Sequence, residues 1–206
     1  MSLKRHDRRY YLNAQKLIVI GASTGGTEAV YSIVTSLTED TPPIVIVQHM
    51  IKNFTKIYAE HLNKKCIMEV VEGENGLQLK NGMIYIAPSN GCQTRIEQVN
   101  DGLRLSCHEE DKISGHSPSV DALFDSIKNF SGVEILAILL TGMGADGAKG
   151  LYELRKKGIH TIGQDKSTCV VYGMPKVAFD MGAVEKQCKL QDIEEEIIAF
   201  SKNMDY

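Results

Sequence analysis

Gly21-Ala22-Ser23-Thr24-Gly25-Gly26 follows the apolar run Leu17–Ile20 and precedes Val30, Ile33, Val34 and Leu37 at helical spacing. In that strand–turn–helix setting, Gly21-x-Ser23-x-Gly25 matches the nucleophile-elbow pattern. Small residues let the chain turn sharply and leave a hydroxyl exposed, and the N–H of Thr24 would face a developing oxyanion. Two rival readings fit the same loop. A glycine-rich turn can cradle a phosphate, although G-x-G-x-x-G and G-x-x-x-x-G-K-[ST] are both absent, and a serine can simply cap a tight βα turn.

A serine hydroxyl is a weak nucleophile and needs a base within hydrogen-bond reach. His49 directly follows the buried run Ile44–Gln48 and so emerges at the carboxyl end of a second strand. Its rival is His116, in the loop Ser114-Gly115-His116-Ser117-Pro118. His6, His61, His108 and His160 fall on an arm, a helix, a hairpin end and a short strand. A triad base is held in one tautomer by a carboxylate. The run Ile135–Leu140 ends in Thr141-Gly142-Met143-Gly144-Ala145-Asp146-Gly147, which puts Asp146 at a third strand terminus. Asp146 is equally placed to cap the following helix, with Leu151 and Leu154 on its apolar face and Gly158 at its end. Asp121 and Asp165 are weaker alternatives.

The elements that must bring these residues together are short β-branched runs alternating with amphipathic segments. Strands are expected at Ile67–Val71, Met83–Ile86 and Ile135–Leu140, and a helix over Phe54–Leu62. Thr94–Val99 and Leu103–Cys107 flank Asn100-Asp101-Gly102, a hairpin signal because such a turn needs positive φ. Ser117-Pro118 reads as the start of a helix with Val120, Leu123, Phe124 and Ile127 on its apolar face. Leu190, Ile193, Ile197 and Phe200 mark the last helix. Continuous apolar runs suit strands buried on both faces. The expected fold is therefore α/β, a doubly wound and mainly parallel sheet carrying one antiparallel hairpin. Ligands in such sheets bind beyond the carboxyl ends of the strands.

Composition narrows the function classes. Lys and Arg total 23 against 26 Asp and Glu, a formal charge of −3, so bulk charge does not favour a nucleic-acid partner. Five cysteines without a C-x-x-C pair fit neither a disulfide framework nor a zinc site, and they suit a reducing compartment. Six histidines without close pairing give no reason to expect a metal or other cofactor. No run approaches the roughly 20 apolar residues of a membrane span. The apolar run after Arg8-Arg9 is too short for an export signal. The expectation is a cytoplasmic protein without membrane insertion, with residues 1–16 an N-terminal surface arm and residues 17–206 one catalytic domain.

Taken in order, Ile20-Gly-Ala-Ser-Thr-Gly-Gly26, Val47-Gln-His-Met50, Tyr85-Ile-Ala-Pro88, His116-x-Pro-Ser-Val-Asp121, Leu140-Thr-Gly-Met-Gly-x-Asp-Gly-Ala148 and Val171-Tyr-Gly-Met-Pro175 resemble the catalytic domain of the chemotaxis protein-glutamate methylesterases (CheB). The resemblance implies Ser23 as nucleophile, His49 and not His116 as base, Asp146 as acid, and Met143 at the active site. It implies hydrolysis of γ-glutamyl methyl esters on the cytoplasmic domain of methylated chemoreceptors, with related deamidation of glutamine. Members commonly carry an N-terminal receiver domain, which the residues before Leu17 are too few to form; the resemblance thus implies an excised domain or a stand-alone form. The chain departs from the family at Ile51, where proline is usual, and in Glu72-Gly-Glu-Asn-Gly76. It departs again at Cys92, where a histidine is common and where a change at the pocket rim is expected.

Overall fold

The structure, a computed structural model, describes residues 16–203. The arm expected over residues 1–16 lies outside these except for Lys16, which opens the first strand.

Nine strands and six helices are present among the described residues: β1 (Lys16–Ala22), α1 (Gly26–Val34), β2 (Ile44–Gln48), α2 (Thr55–Asn63), β3 (Glu69–Glu72), β4 (Met83–Ile86), β5 (Cys92–Val99), β6 (Gly102–Glu109), α3 (Val120–Ile127), β7 (Glu134–Leu139), α4 (Ala148–Lys156), β8 (His160–Gln164), α5 (Met174–Asp180), β9 (Lys186–Cys188) and α6 (Ile193–Ser201). Seven strands form a parallel sheet in the order β3-β4-β2-β1-β7-β8-β9, and β5 and β6 form a separate antiparallel hairpin.

Both faces of the sheet are covered because side chains alternate along a strand. On β1, Leu17 and Val19 join a core with α3, α4, α5 and the hairpin, through residues such as Phe124, Leu151, Met174 and Leu105. Ile18 and Ile20 point the other way, onto Val30 and Ile33 of α1, Leu62 of α2 and Ile197 of α6. The central strand can therefore be apolar throughout, and no helical period is needed to explain the run.

Some boundaries differ from the sequence expectation. The third strand starts at Glu69, and Ile67 is 59% exposed because it precedes the sheet. At the hairpin, positive φ falls on Gly102 alone (134°), not on the asparagine and aspartate before it. The helix expected from Ser117 starts at Val120; its cap is Ser119, whose hydroxyl accepts from Ala122 N–H. Leu190 lies in a 3-10 turn ahead of α6.

The strand order places the topological switch at β1. The chain leaves β1 for β2 on one side, and it later returns to pair β7 on the other. The crevice above such a switch is where ligands bind in open α/β sheets, and β1, β2 and β7 all end there.

Candidate active site

The last register pair of β1 and β2 is Ala22↔Gln48, so Ser23 and His49 are the first residues beyond the ladder on adjacent strands. One more bond, His49 N–H to Ala22 O at 3.0 Å, fixes their relative height. Two residues beyond β7, Thr141 O accepts Ser23 N–H at 3.0 Å. Thr141 Oγ1 donates to Thr24 O at 3.0 Å and accepts from Val171 N–H at 2.9 Å. Gly142 sits so close that a Cβ there would lie 2.7 Å from Ser23 Cβ.

The turn after Ser23 differs from a strained nucleophile elbow in one respect. The left-handed residue is Gly25 (φ 79°), which precedes α1, and Ser23 is not among the positive-φ residues. Ser23 Oγ is half-buried and bonded to no described residue. The N–H groups of Ser23 and Gly26 are spent on Thr141 O and Ser23 O, which removes two of the donors that a phosphate cradle would need.

Gly26 packs against Gln48, and a Cβ at this position would lie 2.1 Å from Gln48 Oε1 and 2.6 Å from Ala22 Cβ. Both neighbours are fully enclosed, so neither can swing aside. Gly26→Ala is expected to destabilise the fold by about 1–3 kcal/mol, the usual cost of overpacking, measured as a lower midpoint of urea denaturation at unchanged slope.

His49 and Asp146 meet. His49 Nε2 lies 2.8 Å from Asp146 Oδ2, and Asp146 is 2% exposed. Its carboxylate takes three further donors: Val120 N–H at 2.8 Å on Oδ2, and Ser119 Oγ at 2.7 Å and Asp121 N–H at 3.0 Å on Oδ1. Asp146 thus does serve a helix N-terminus, but that of α3, whereas α4 has no side-chain cap. Burial alone would raise its pKa, but the donors outweigh that: His49, Asp121 N–H, the Ser119 hydroxyl and Val120 N–H hold the carboxyl below the usual aspartate value. Asp121 differs. Burial pushes it up, against the Ser114 hydroxyl at 2.7 Å and Gly150 N–H at 2.8 Å. Asp165 is bound to Ser167 in its own turn.

Because a carboxylate only accepts, the Asp146 contact fixes the His49 proton on Nε2. Nδ1 is then the acceptor, and it is buried without a partner. The other buried side-chain atoms without partners among the described residues are Gln48 Oε1 and Ser117 Oγ, one beside His49 in the chain and one beside His116. Orphaned polar atoms are few in native proteins and call for an explanation; here they cluster in the segments that carry the site.

His116 stacks face to face on His49, with ring centroids 3.8 Å apart and planes 6° from parallel. Burial, His49 and Lys112 lower its pKa below 6.5, against a pull from Asp146. It is held from the hairpin, where buried Gln93 donates to His116 O (2.9 Å) and accepts Ser119 N–H (2.8 Å). The rival histidine thus lies in the site, as a flat wall beside His49.

Neither Thr24 N–H nor Met143 N–H has an acceptor among the described residues. A cleft of about 500 Å³ adjoins His49, lined by Thr27, Met50, Ile51 and Phe54. Of the three departures from the family pattern, Ile51 is the one on this rim; Cys92 opens β5, paired with Glu109. No group of three or more His, Cys, Asp or Glu among the described residues is placed to hold a metal ion.

Sequence reasoning did not find Ser119, Gln48 or Thr141. Ser119 carried a signal, since a serine one residue before a helix start is a cap candidate. Gln48 carried a weaker one: a polar residue closing an apolar strand run needs partners when buried.

The CheB methylesterase family model matches residues 18–197. A protein-glutamate methylesterase/protein-glutamine glutaminase of Syntrophomonas wolfei is 52% identical over 177 residues, covering 86% of this chain and 52% of that protein. One from Agrobacterium fabrum is 44% identical over 190 residues, covering 91% and 53%. The chain spans about half the length of the curated relatives it matches. The crystal structure of the Thermotoga maritima CheB methylesterase catalytic domain superposes with a TM-score of 0.87 at 35% identity, covering 92% of this chain and all of that one.

Proposed function

The chain belongs to the CheB methylesterase family, and from that membership we propose that it is a serine hydrolase of methylated chemoreceptors. It cleaves γ-glutamyl methyl esters on their cytoplasmic helices, releasing methanol and restoring glutamate. Its place of action is the cytoplasm, where those receptor helices lie. The catalytic unit is the domain beginning at Leu17.

The observation that carries the reading is the state of His49: Nε2 committed to Asp146 at 2.8 Å, Nδ1 buried and free to accept, on the residue that stands opposite Ser23 one step beyond the ladder. As the ester enters, Ser23 Oγ attacks its carbonyl carbon and gives its proton to His49 Nδ1. The nitrogen roles are thus reversed from the triad in which Nδ1 faces the carboxylate. Catalytic hydrogen bonds are often loose before substrate binds, which fits a Ser23 hydroxyl unpaired at rest.

The tetrahedral oxyanion is held by the free N–H groups of Thr24 and Met143. Methanol departs with the proton from His49 and leaves a γ-glutamyl ester on Ser23. Water then gives a proton to Nδ1 and attacks that ester, and the carboxylate is released as Ser23 recovers its proton. Asp146 stays ionised and stabilises the imidazolium formed in each half. With a glutamine amide the same cycle releases ammonia.

The test is methanol release from a methyl-esterified chemoreceptor cytoplasmic fragment, followed beside ammonia release from the same fragment bearing glutamine. Turnover of the ester is the expected result. A folded protein that releases neither product would overturn the assignment.

A further inference from the structure

The parallel ladder between β1 and β2 stops at the pair Ala22↔Gln48, because both chains turn away. Ser23 goes into the turn before α1 and His49 into the loop before α2. The two residues whose separation matters most are therefore the first pair without backbone bonds of their own to each other. Gln48 spans that gap. Its Nε2 donates to Ser23 O at 2.9 Å and to His49 O at 3.0 Å. Both partners are carbonyls, so the amide nitrogen must face them, which sends Oε1 the other way, against Gly26.

Two details argue that these bonds serve geometry more than stability. Ser23 O already accepts Gly26 N–H at 2.8 Å, so it does not need Gln48 to be satisfied. And in bonding both carbonyls the amide leaves Oε1 buried without a partner, in a side chain only 2% exposed. An orphaned buried carbonyl costs stability. A methionine of similar length would carry no such cost.

We propose that Gln48 is a positioning residue for the hydrolysis. Its carboxamide extends the sheet ladder by one rung and locks the peptide units carrying nucleophile and base at a fixed spacing. This rests on the esterase reading above. Ångström-scale misplacement of reacting groups costs about 100-fold in rate, and Gln48 touches no reacting atom, so its loss acts on turnover and not on substrate capture.

The test compares wild type with Gln48→Met and Gln48→Glu in methanol release from the methylated receptor fragment, with thermal melting measured alongside. Gln48→Met is expected to lower kcat by about 10- to 100-fold with KM within about twofold, while Tm stays close to wild type, because removal of the orphaned Oε1 offsets the bond lost at His49 O. Gln48→Glu presents a carboxylate to two carbonyls, and it regains one donor when protonated. Its kcat relative to wild type should rise as pH falls. Wild-type kcat in Gln48→Met overturns the proposal, and so does a loss of kcat matched by a fall in Tm in both variants. A silent wild type would instead overturn the esterase reading, and this inference with it.

Discussion

Ser23→Ala is expected to cut methanol release by about 10⁴- to 10⁶-fold, down to whatever the oxyanion donors and substrate binding retain without a nucleophile. The same protein should melt within about 0.5 kcal/mol of wild type, the usual scale for side chains outside a packed or bonded network. Ser23 Oγ is bonded to no described residue, and the backbone bonds that fix the turn use only main-chain atoms of residue 23. His49→Ala should lose as much activity, but it is the less clean variant. It also takes one donor from Asp146 and the stacking face from His116. The two losses should not add, since a nucleophile without its base and a base without its nucleophile fail at the same step. Retention of a tenth of the activity in Ser23→Ala would remove serine from the mechanism.

Asp146→Asn should lower kcat by about 10⁴-fold, as when a triad aspartate elsewhere becomes asparagine and the histidine takes the wrong tautomer. The donor geometry here makes the reason explicit. Each carboxylate oxygen accepts two donors, Oδ1 from Ser119 and Asp121 and Oδ2 from His49 and Val120. An asparagine offers only one such oxygen. If its NH2 takes the Oδ2 place, His49 must accept at Nε2, and its proton moves to Nδ1, where Ser23 needs an acceptor. If it takes the Oδ1 place, the amide meets Asp121 N–H, and one of the two α3 amides that Asp146 accepts loses its acceptor. Either way a buried donor is left facing a donor, a cost of about 1–3 kcal/mol.

Acid titration separates Asp146 from its neighbour. The folded carboxyl of Asp146 is held below its unfolded value. Its contribution is therefore complete above about pH 4, the ordinary aspartate pKa, and it disappears as pH falls through the depressed folded value. Asp121 has the opposite sign. Burial raises its pKa, so its ionised form costs stability, and that cost is relieved as pH falls. Wild type should therefore lose more stability than Asp146→Asn between neutral pH and acid, measured by urea denaturation across that range. Parallel curves would mean the carboxylate contributes nothing through its charge.

Much of this fold is legible in the sequence because a two-sided parallel sheet writes itself as unbroken apolar runs. Ile44–Gln48 and Met83–Ile86 are strands with the bounds read from composition and turns. The candidates Ser23 and His49 were legible because each directly follows an apolar run, and Asp146 because it is the acid in the loop after a third. What stayed hidden has one physical cause. Ser119 to Asp146, Gln48 to Ser23 and Gln93 to His116 are side-chain bonds between residues 23 to 27 apart, and no period or spacing rule encodes them. The stacking of His116 on His49 is of the same kind, a contact made by the hairpin's grip on a loop. Asp146 capping α3 in place of α4 follows from it too, because proximity in sequence is a poor guide once three strand ends converge.

The position of β1 also sets the order in which the molecule can be completed during synthesis. Its first neighbour, β2, follows within one helix, but its second, β7, begins at Glu134, opposite Lys16. A nascent chain leaving the ribosome N-terminus first has Ser23 and His49 in hand long before Asp146. Until β7 arrives, β1 keeps one open edge of unpaired amides and carbonyls between two apolar faces, the kind of surface to which other unfinished chains adhere. Contacts of such long sequence separation also form slowly. Refolding from denaturant meets the same bottleneck, and dilution should favour recovery far more than time.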